Sequence, residues 1–131
     1  MNLCIDQGNS RKKVALFKEG AIVKNLLYKT FTGTDVERLF SLYPITNSIV
    51  SSVANIEASV VNALHRLSKH FILFDHLTPL PIANCYRTPE TLGHDRIASA
   101  VGASHLFPNS NLLIIDAGSA ITYDFVSVEQ G

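Results

Sequence analysis

Three short stretches of this 131-residue chain carry side chains able to handle a phosphate, a cation and a hydroxyl proton. The first is Leu3-Cys4-Ile5-Asp6-Gln7-Gly8-Asn9-Ser10. The second, Leu113-Ile114-Ile115-Asp116-Ala117-Gly118-Ser119-Ala120, repeats its form: apolar residues, then Asp-x-Gly, then a small residue. Asp6 falls on Asp116 and Gly8 on Gly118. Each copy offers a hard carboxylate donor suited to hydrated magnesium. Each also offers backbone N–H groups that a glycine lets approach phosphate oxygens closely, beside a small hydroxyl or amide side chain. Two such corners facing across a cleft would hold a polyphosphate and its metal from both sides. The third stretch, Leu92-Gly93-His94-Asp95-Arg96, sets a carboxylate and a guanidinium side by side at a helix start. The helix N-terminus and Arg96 both favour a charged Asp95. Such a carboxylate orients a substrate hydroxyl and accepts its proton late in phosphoryl transfer. Arg96 suits bidentate binding of an anionic substrate or the transferring group. Taken singly, each stretch reads better as an ordinary hairpin turn or an exposed ion pair, and it is the repetition of the Asp-x-Gly turn that shifts the balance.

These groups need elements to hold them. Branched apolar runs before each Asp-x-Gly predict buried strands, and Lys13–Phe17 and Ile121–Val126 predict their hairpin partners. Ala21–Tyr28 predicts a third strand after a Glu19-Gly20 turn. Thr34 or Asp35 is expected to cap a helix that buries Val36, Leu39, Phe40 and Tyr43. A strand over Ser48–Ser52, a helix after Asn55 burying Ile56, Val60, Leu64 and Leu67, and a strand over Phe71–Phe74 come next. The order βββαβαβ points to an α/β fold with a mixed sheet flanked by helices. Pro79 and Pro81 break regular structure, which sets a first domain at residues 1–87. Thr88-Pro89-Glu90 resembles a helix entrance, with Gly93 as the other starting point. Small residues from Ala98 to Ala103 predict close packing against another element. The end, Glu129-Gln130-Gly131, reads as a turn into a further strand, so residues 88–131 are expected to be an interdomain helix and the first hairpin of a truncated second domain.

Composition excludes several classes. With 47% apolar and 17% charged residues, the chain is long enough for a real core and is not disordered. Eleven basic and eleven acidic residues cancel, giving no electrostatic reason to bind nucleic acid or an anionic membrane. No apolar run approaches the ~18 residues of a membrane span, and two distant cysteines, Cys4 and Cys85, fit a reduced, cytoplasmic protein. His65, His70, His76, His94 and His105 form no zinc pattern, and neither a P-loop nor a Rossmann turn is present.

Asp6-x-Gly8-Asn9-Ser10-x-x-Lys13, then Tyr86 ahead of Gly93-x-Asp95-Arg96, then Asp116-x-Gly118-Ser119-Ala120-x-Thr122-x-Asp124 together resemble the type III pantothenate kinases. These belong to the sugar-kinase, heat-shock ATPase and actin superfamily, and the resemblance runs from residue 3 to about residue 126. It implies two actin-like (ribonuclease H-like) domains and transfer of the ATP γ-phosphoryl group to pantothenate's primary hydroxyl, the first step towards coenzyme A. It implies ATP contacts at Asp6, Gly8, Asn9, Ser10, Lys13, Gly118 and Ser119, with Mg2+ at Asp6. Asp116 resembles the ligand of a monovalent cation, K+ or NH4+. Asp95 resembles the general base, and Tyr86, Gly93, His94, Asp95 and Arg96 lie where pantothenate binds. Ser51-Ser52-Val53 resembles strand-end serines of the family. A homodimer is implied as well.

Two departures stand out. Ser119 replaces the usual threonine but keeps the hydroxyl. The adenine-binding surface should lie beyond residue 131, so this chain alone is expected to be inactive. Two other functions fit parts of the pattern: another phosphotransferase of the superfamily, and a non-catalytic nucleotide-binding regulator. The Tyr86 and Gly93-x-Asp95-Arg96 spacing argues against the first, and the presence of a base argues against the second.

Overall fold

The computed structural model describes residues 1–129. The chain divides into two compact units, Met1–Phe74 and the residues from Asp75 onward.

In the first unit β1 (Asn2–Gln7), β2 (Lys12–Lys18) and β3 (Ala21–Tyr28) form an antiparallel meander. Glu19 and Gly20 join β2 to β3 with φ of 51° and 79°, the left-handed pair that matches the twist of a two-residue hairpin. Then α1 (Gly33–Leu42) leads to β4 (Asn47–Ser52), and α2 (Ala58–Leu67) leads to β5 (His70–Leu73). Both strands run parallel to β1, giving the order β3-β2-β1-β4-β5. This is the mixed five-stranded sheet expected of an actin-like α/β domain. Strand alternation puts Leu3 and Ile5, Val14 and Leu16, and Val50 on one face, where Val36 and Leu39 of α1 and Val60, Ala63 and Leu64 of α2 cover them. Fully burying one such side chain stabilises the fold by about 1.5–3 kcal/mol.

The start of α1 differs from expectation. Thr32, not Thr34 or Asp35, is the cap, and Asp35 reaches back so that Oδ2 accepts from the Thr32 N–H at 2.8 Å and its hydroxyl at 3.0 Å. A carboxylate at the third helical position satisfies a donor that the helix itself leaves unpaired. The two helices meet closely at Gly33, whose N–H donates to Ser59 Oγ at 2.9 Å.

In the second unit residues 75–87 are irregular and cluster with the remainder of that unit, although the prolines placed the first domain's end at residue 87. Thr88-Pro89-Glu90 opens only a 3-10 turn, Pro89–Thr91, and α3 (His94–Leu106) begins after Gly93. The Arg96 and Ile97 N–H groups donate to the Gly93 carbonyl at 3.1 and 3.3 Å. β6 (Leu112–Ala117) and β7 (Ile121–Val126) pair antiparallel in a two-stranded sheet. Leu80, Ile82 and Ala83 of the irregular stretch line a cavity with α3 and β7. Ile97 and Val126 are buried. The small residues of α3 are only partly covered: Ala100 and Ala103 are half-buried, while Ala98 is exposed and the space beside Gly102 is open. Among the described residues no helix is long and apolar enough to cross a membrane.

Candidate active site

The first corner sits at the end of β1. Asp6 is exposed there, and the register sets Lys13 of β2 on one side of it and Ser51 of β4 on the other. Facing residues share one side of a sheet, so a carboxylate, an ammonium and a hydroxyl line up across three strands. The turn is Gly8-Asn9-Ser10-Arg11, with Asn9 and Ser10 exposed. The Gly8 N–H already donates to the Arg11 carbonyl at 3.0 Å. Gly8 is not in the left-handed region; a side chain there would instead crowd the Arg11 carbonyl, with its Cβ at 3.2 Å. Gln7 Nε2 donates to the Asn55 carbonyl at 3.1 Å, and the Val53 N–H to the Gln7 carbonyl at 3.2 Å. The Ser51-Ser52-Val53 stretch is thereby tied alongside the corner.

The second corner is built alike and ends differently. Asp116 is exposed at the end of β6, and its register partner is Thr122 rather than a lysine. The turn is Gly118-Ser119-Ala120, one residue shorter than the first, and the Gly118 N–H donates to the Ala120 carbonyl at 3.0 Å. Ser119 is exposed. Thr122 Oγ1 is buried and has no hydrogen-bond partner among the described residues. A carboxylate beside an unpaired hydroxyl oxygen is a donor set suited to a hard cation. Among the described residues no cluster of three or more His, Cys, Asp or Glu is placed to hold a metal. A magnesium ion that keeps its waters needs only one or two carboxylates beside substrate phosphates, which Asp6 can provide.

The third group lies at the start of α3. Asp95 is exposed in the first turn, and its carboxylate folds back over Gly93 so closely that a Cβ at position 93 would stand 2.6 Å from Oδ1. His94 is half-buried beside it. Arg96 does not pair with Asp95 as their adjacency suggests. Successive residues on a helix project about 100° apart, and Arg96 turns instead to β7. There Nε donates to Asp124 Oδ1 and Oδ2 at 3.2 and 3.0 Å, and Nη2 donates to Oδ1 at 2.6 Å. Nη2 also reaches the Tyr123 carbonyl at 3.3 Å. Tyr86 lies across the guanidinium, its ring centroid 5.6 Å from Cζ. These bonds, those from Asp124 foremost, raise Arg96 above its ordinary pKa. Tyr86, Arg96, Tyr123 and Asp124 line one cavity of about 480 Å³ with Leu92, large enough for a small organic substrate.

Tyr86 and Arg96 are thus brought together, and Gly93, His94 and Asp95 lie at the same helix start. Asp6, Gly8, Asn9, Ser10 and Lys13 are gathered at the first corner, and Asp116, Gly118 and Ser119 at the second. Asp124 stands in the third motif but drew no role from sequence. The available signal was a carboxylate alternating with Thr122 and Val126 on β7, a period that turns it towards the packed face.

Residues 2–131 match the family profile described as type III pantothenate kinase. The chain is 40% identical over 129 residues to a type III pantothenate kinase of Phocaeicola vulgatus, covering 98% of this chain and 53% of that protein. A type III pantothenate kinase of Bacteroides fragilis is 40% identical over 126 residues, 96% of this chain and 52% of its own length. One from Christiangramia forsetii is 40% identical over 132 residues, 99% of this chain and 54% of its own. The chain spans about half the length of the curated relatives it matches.

Proposed function

Since the chain belongs to the type III pantothenate kinase family, we propose that the protein it represents phosphorylates the primary hydroxyl of pantothenate at the expense of ATP, as the first step of coenzyme A biosynthesis. The observation that carries this reading is the start of α3, where Asp95 stands free of Arg96 while Arg96 and Tyr86 share a cavity. A carboxylate that is not consumed by the neighbouring guanidinium remains available to take a hydroxyl proton.

In this reading Asp95 is the catalytic base, orienting the hydroxyl and accepting its proton as the phosphoryl group is transferred. Tyr86, Gly93, His94 and Arg96 hold pantothenate, with Arg96 taking the carboxylate end. Gly8, Asn9, Ser10 and Lys13 meet phosphate oxygens at the first corner, where Asp6 would hold Mg2+. Gly118 and Ser119 meet phosphate at the second. Lys13 beside Asp6 supports phosphate there, because an ammonium adds the positive charge a phosphate needs. Asp116 beside the Thr122 hydroxyl supports a monovalent cation, K+ or NH4+, at the second. Cations held at these two corners would supply positive charge to the transferring phosphates. The working form proposed is a cytoplasmic homodimer, and the two units of this chain represent a first actin-like domain and the beginning of a second. The chain taken alone is proposed to be inactive, because the relatives it matches are about twice as long.

The test is ADP release by the full-length protein with ATP and pantothenate. Asp95→Asn should lower kcat by roughly 10²–10⁴-fold, the usual contribution of a positioned base. Equal turnover by wild type and variant overturns the role of Asp95. Phosphorylation of another alcohol with pantothenate ignored overturns the substrate.

A further inference from the structure

A guanidinium has two edges able to take a carboxylate side-on, Nε/Nη2 and Nη1/Nη2. In Arg96 the first is occupied. Asp124 receives both Nε and Nη2, and the Tyr123 carbonyl takes the second Nη2 hydrogen, so of the other edge only Nη1 is unused by these bonds. The Tyr86 ring lies across the face of the same group. The pair is sheltered, with 24% of the Arg96 side chain and 18% of the Asp124 side chain exposed. An arginine carries several freely rotating bonds, and fixing it in place before a ligand arrives removes an entropy cost from binding.

We infer that Asp124 is a positioning residue for the substrate, gripping Arg96 by its Nε/Nη2 edge so that the Nη1 side is presented to a substrate carboxylate in the cavity shared with Tyr86. This rests on the reading that Arg96 takes the carboxylate end of pantothenate. Asp124 touches no reacting atom. Its own negative charge opposes an incoming anion, so its removal has two effects of opposite sign. Loss of the grip weakens carboxylate binding, and loss of the charge strengthens it. The grip dominates because a free arginine must be ordered anew at each binding event, while a single sheltered charge is already neutralised by Arg96.

Asp124→Asn in the full-length enzyme decides between them. Its KM for pantothenate should rise about tenfold while kcat and the KM for ATP each change by less than about twofold, the signature of lost ground-state binding. A pantothenate analogue with a neutral alcohol in place of the carboxylate should show less than about a threefold rise. That separates positioning from general damage, which raises both. An unchanged or lowered KM for pantothenate, or an equal rise for the neutral analogue, overturns the inference while the kinase reading stands. Absence of pantothenate turnover by the wild type overturns that reading and the inference with it. If circular dichroism shows Asp124→Asn unfolded, Asp124→Glu serves: it keeps the charge and displaces the grip, so the same rise in KM is expected and an unchanged KM overturns the inference.

Discussion

The β1–β2 and β6–β7 hairpins begin from nearly the same residues and meet opposite surroundings. Leu3 and Ile5 are buried beneath two helices, whereas their counterparts Leu113 and Ile115 are 64% and 57% exposed. The pairing Leu113↔Phe125, Ile115↔Tyr123 and Ala117↔Ile121 makes the open face of the second hairpin almost wholly apolar. Local sequence is therefore enough to bend the chain and pair the strands, but the energy that holds a hairpin comes from what covers it. The corners also diverge in chemistry. The second turn is one residue shorter, and Thr122 stands opposite Asp116 where Lys13 stands opposite Asp6. One acid is therefore flanked by a cation and the other by a hydroxyl, a difference set by which residues the second strand of each hairpin carries.

The largest effect expected from this contrast concerns equivalent leucines. Leu3→Ala should destabilise the first unit by about 2–5 kcal/mol, the cost of a core cavity. Leu113→Ala in the same 131-residue chain should stay within about 0.5 kcal/mol, as for an exposed site. Urea unfolding followed by circular dichroism compares them, and equal losses would break the contrast by showing Leu113 to be covered.

Glycines sharpen it next. A Cβ at Gly33 would stand 2.6 Å from the Ser59 carbonyl oxygen, a backbone atom that cannot swing aside, whereas at Gly118 the nearest atom, the Ala120 carbonyl oxygen, is 3.9 Å away. Gly33→Ala should therefore cost about 1–3 kcal/mol through forced separation of α1 and α2. Gly118→Ala should leave thermal stability unchanged. A stability loss at Gly118 matching that at Gly33 would mean that the second corner is as constrained as the first unit's helix contact.

The smallest effect separates the two cysteines. Cys4 is half-buried in β1, and burial pushes its thiol pKa up, while Cys85 is exposed in the second unit. Less thiolate and less access both slow alkylation. Mass spectrometry after brief maleimide treatment should find Cys85 modified first, and faster labelling of Cys4 would show β1 opening more readily than its packing implies.

Much of the fold was legible because its signals are local. The apolar runs, the Glu19-Gly20 turn and the helical spacing of Val36 with Leu39 or of Val60 with Leu64 each act within a few residues, and the observed order of elements agrees with them. The cap of α1 escapes the same local reading. Thr32, Thr34 and Asp35 all have capping side chains, and the choice fell to Thr32 once Asp35 could reach back to it. The site was legible where motif residues adjoin one another and hidden where they do not. Arg96 has Asp95 beside it in sequence and Asp124 beside it in space.

The sequence by itself determined which segments become strands and helices, that Asp6 and Asp116 each end a strand at a glycine turn, and that Asp95 begins a helix. Those outcomes depend on backbone preferences and side-chain periods, which act over one or two turns of chain. Only the tertiary structure decided that Asp6 lies between Lys13 and Ser51, that Arg96 is gripped by Asp124 under Tyr86, and that Leu3 and Ile5 are covered while Leu113 and Ile115 lie on an open face in this chain. Those outcomes depend on register and packing between segments far apart in the chain, where a single residue of turn length changes which side chain faces which.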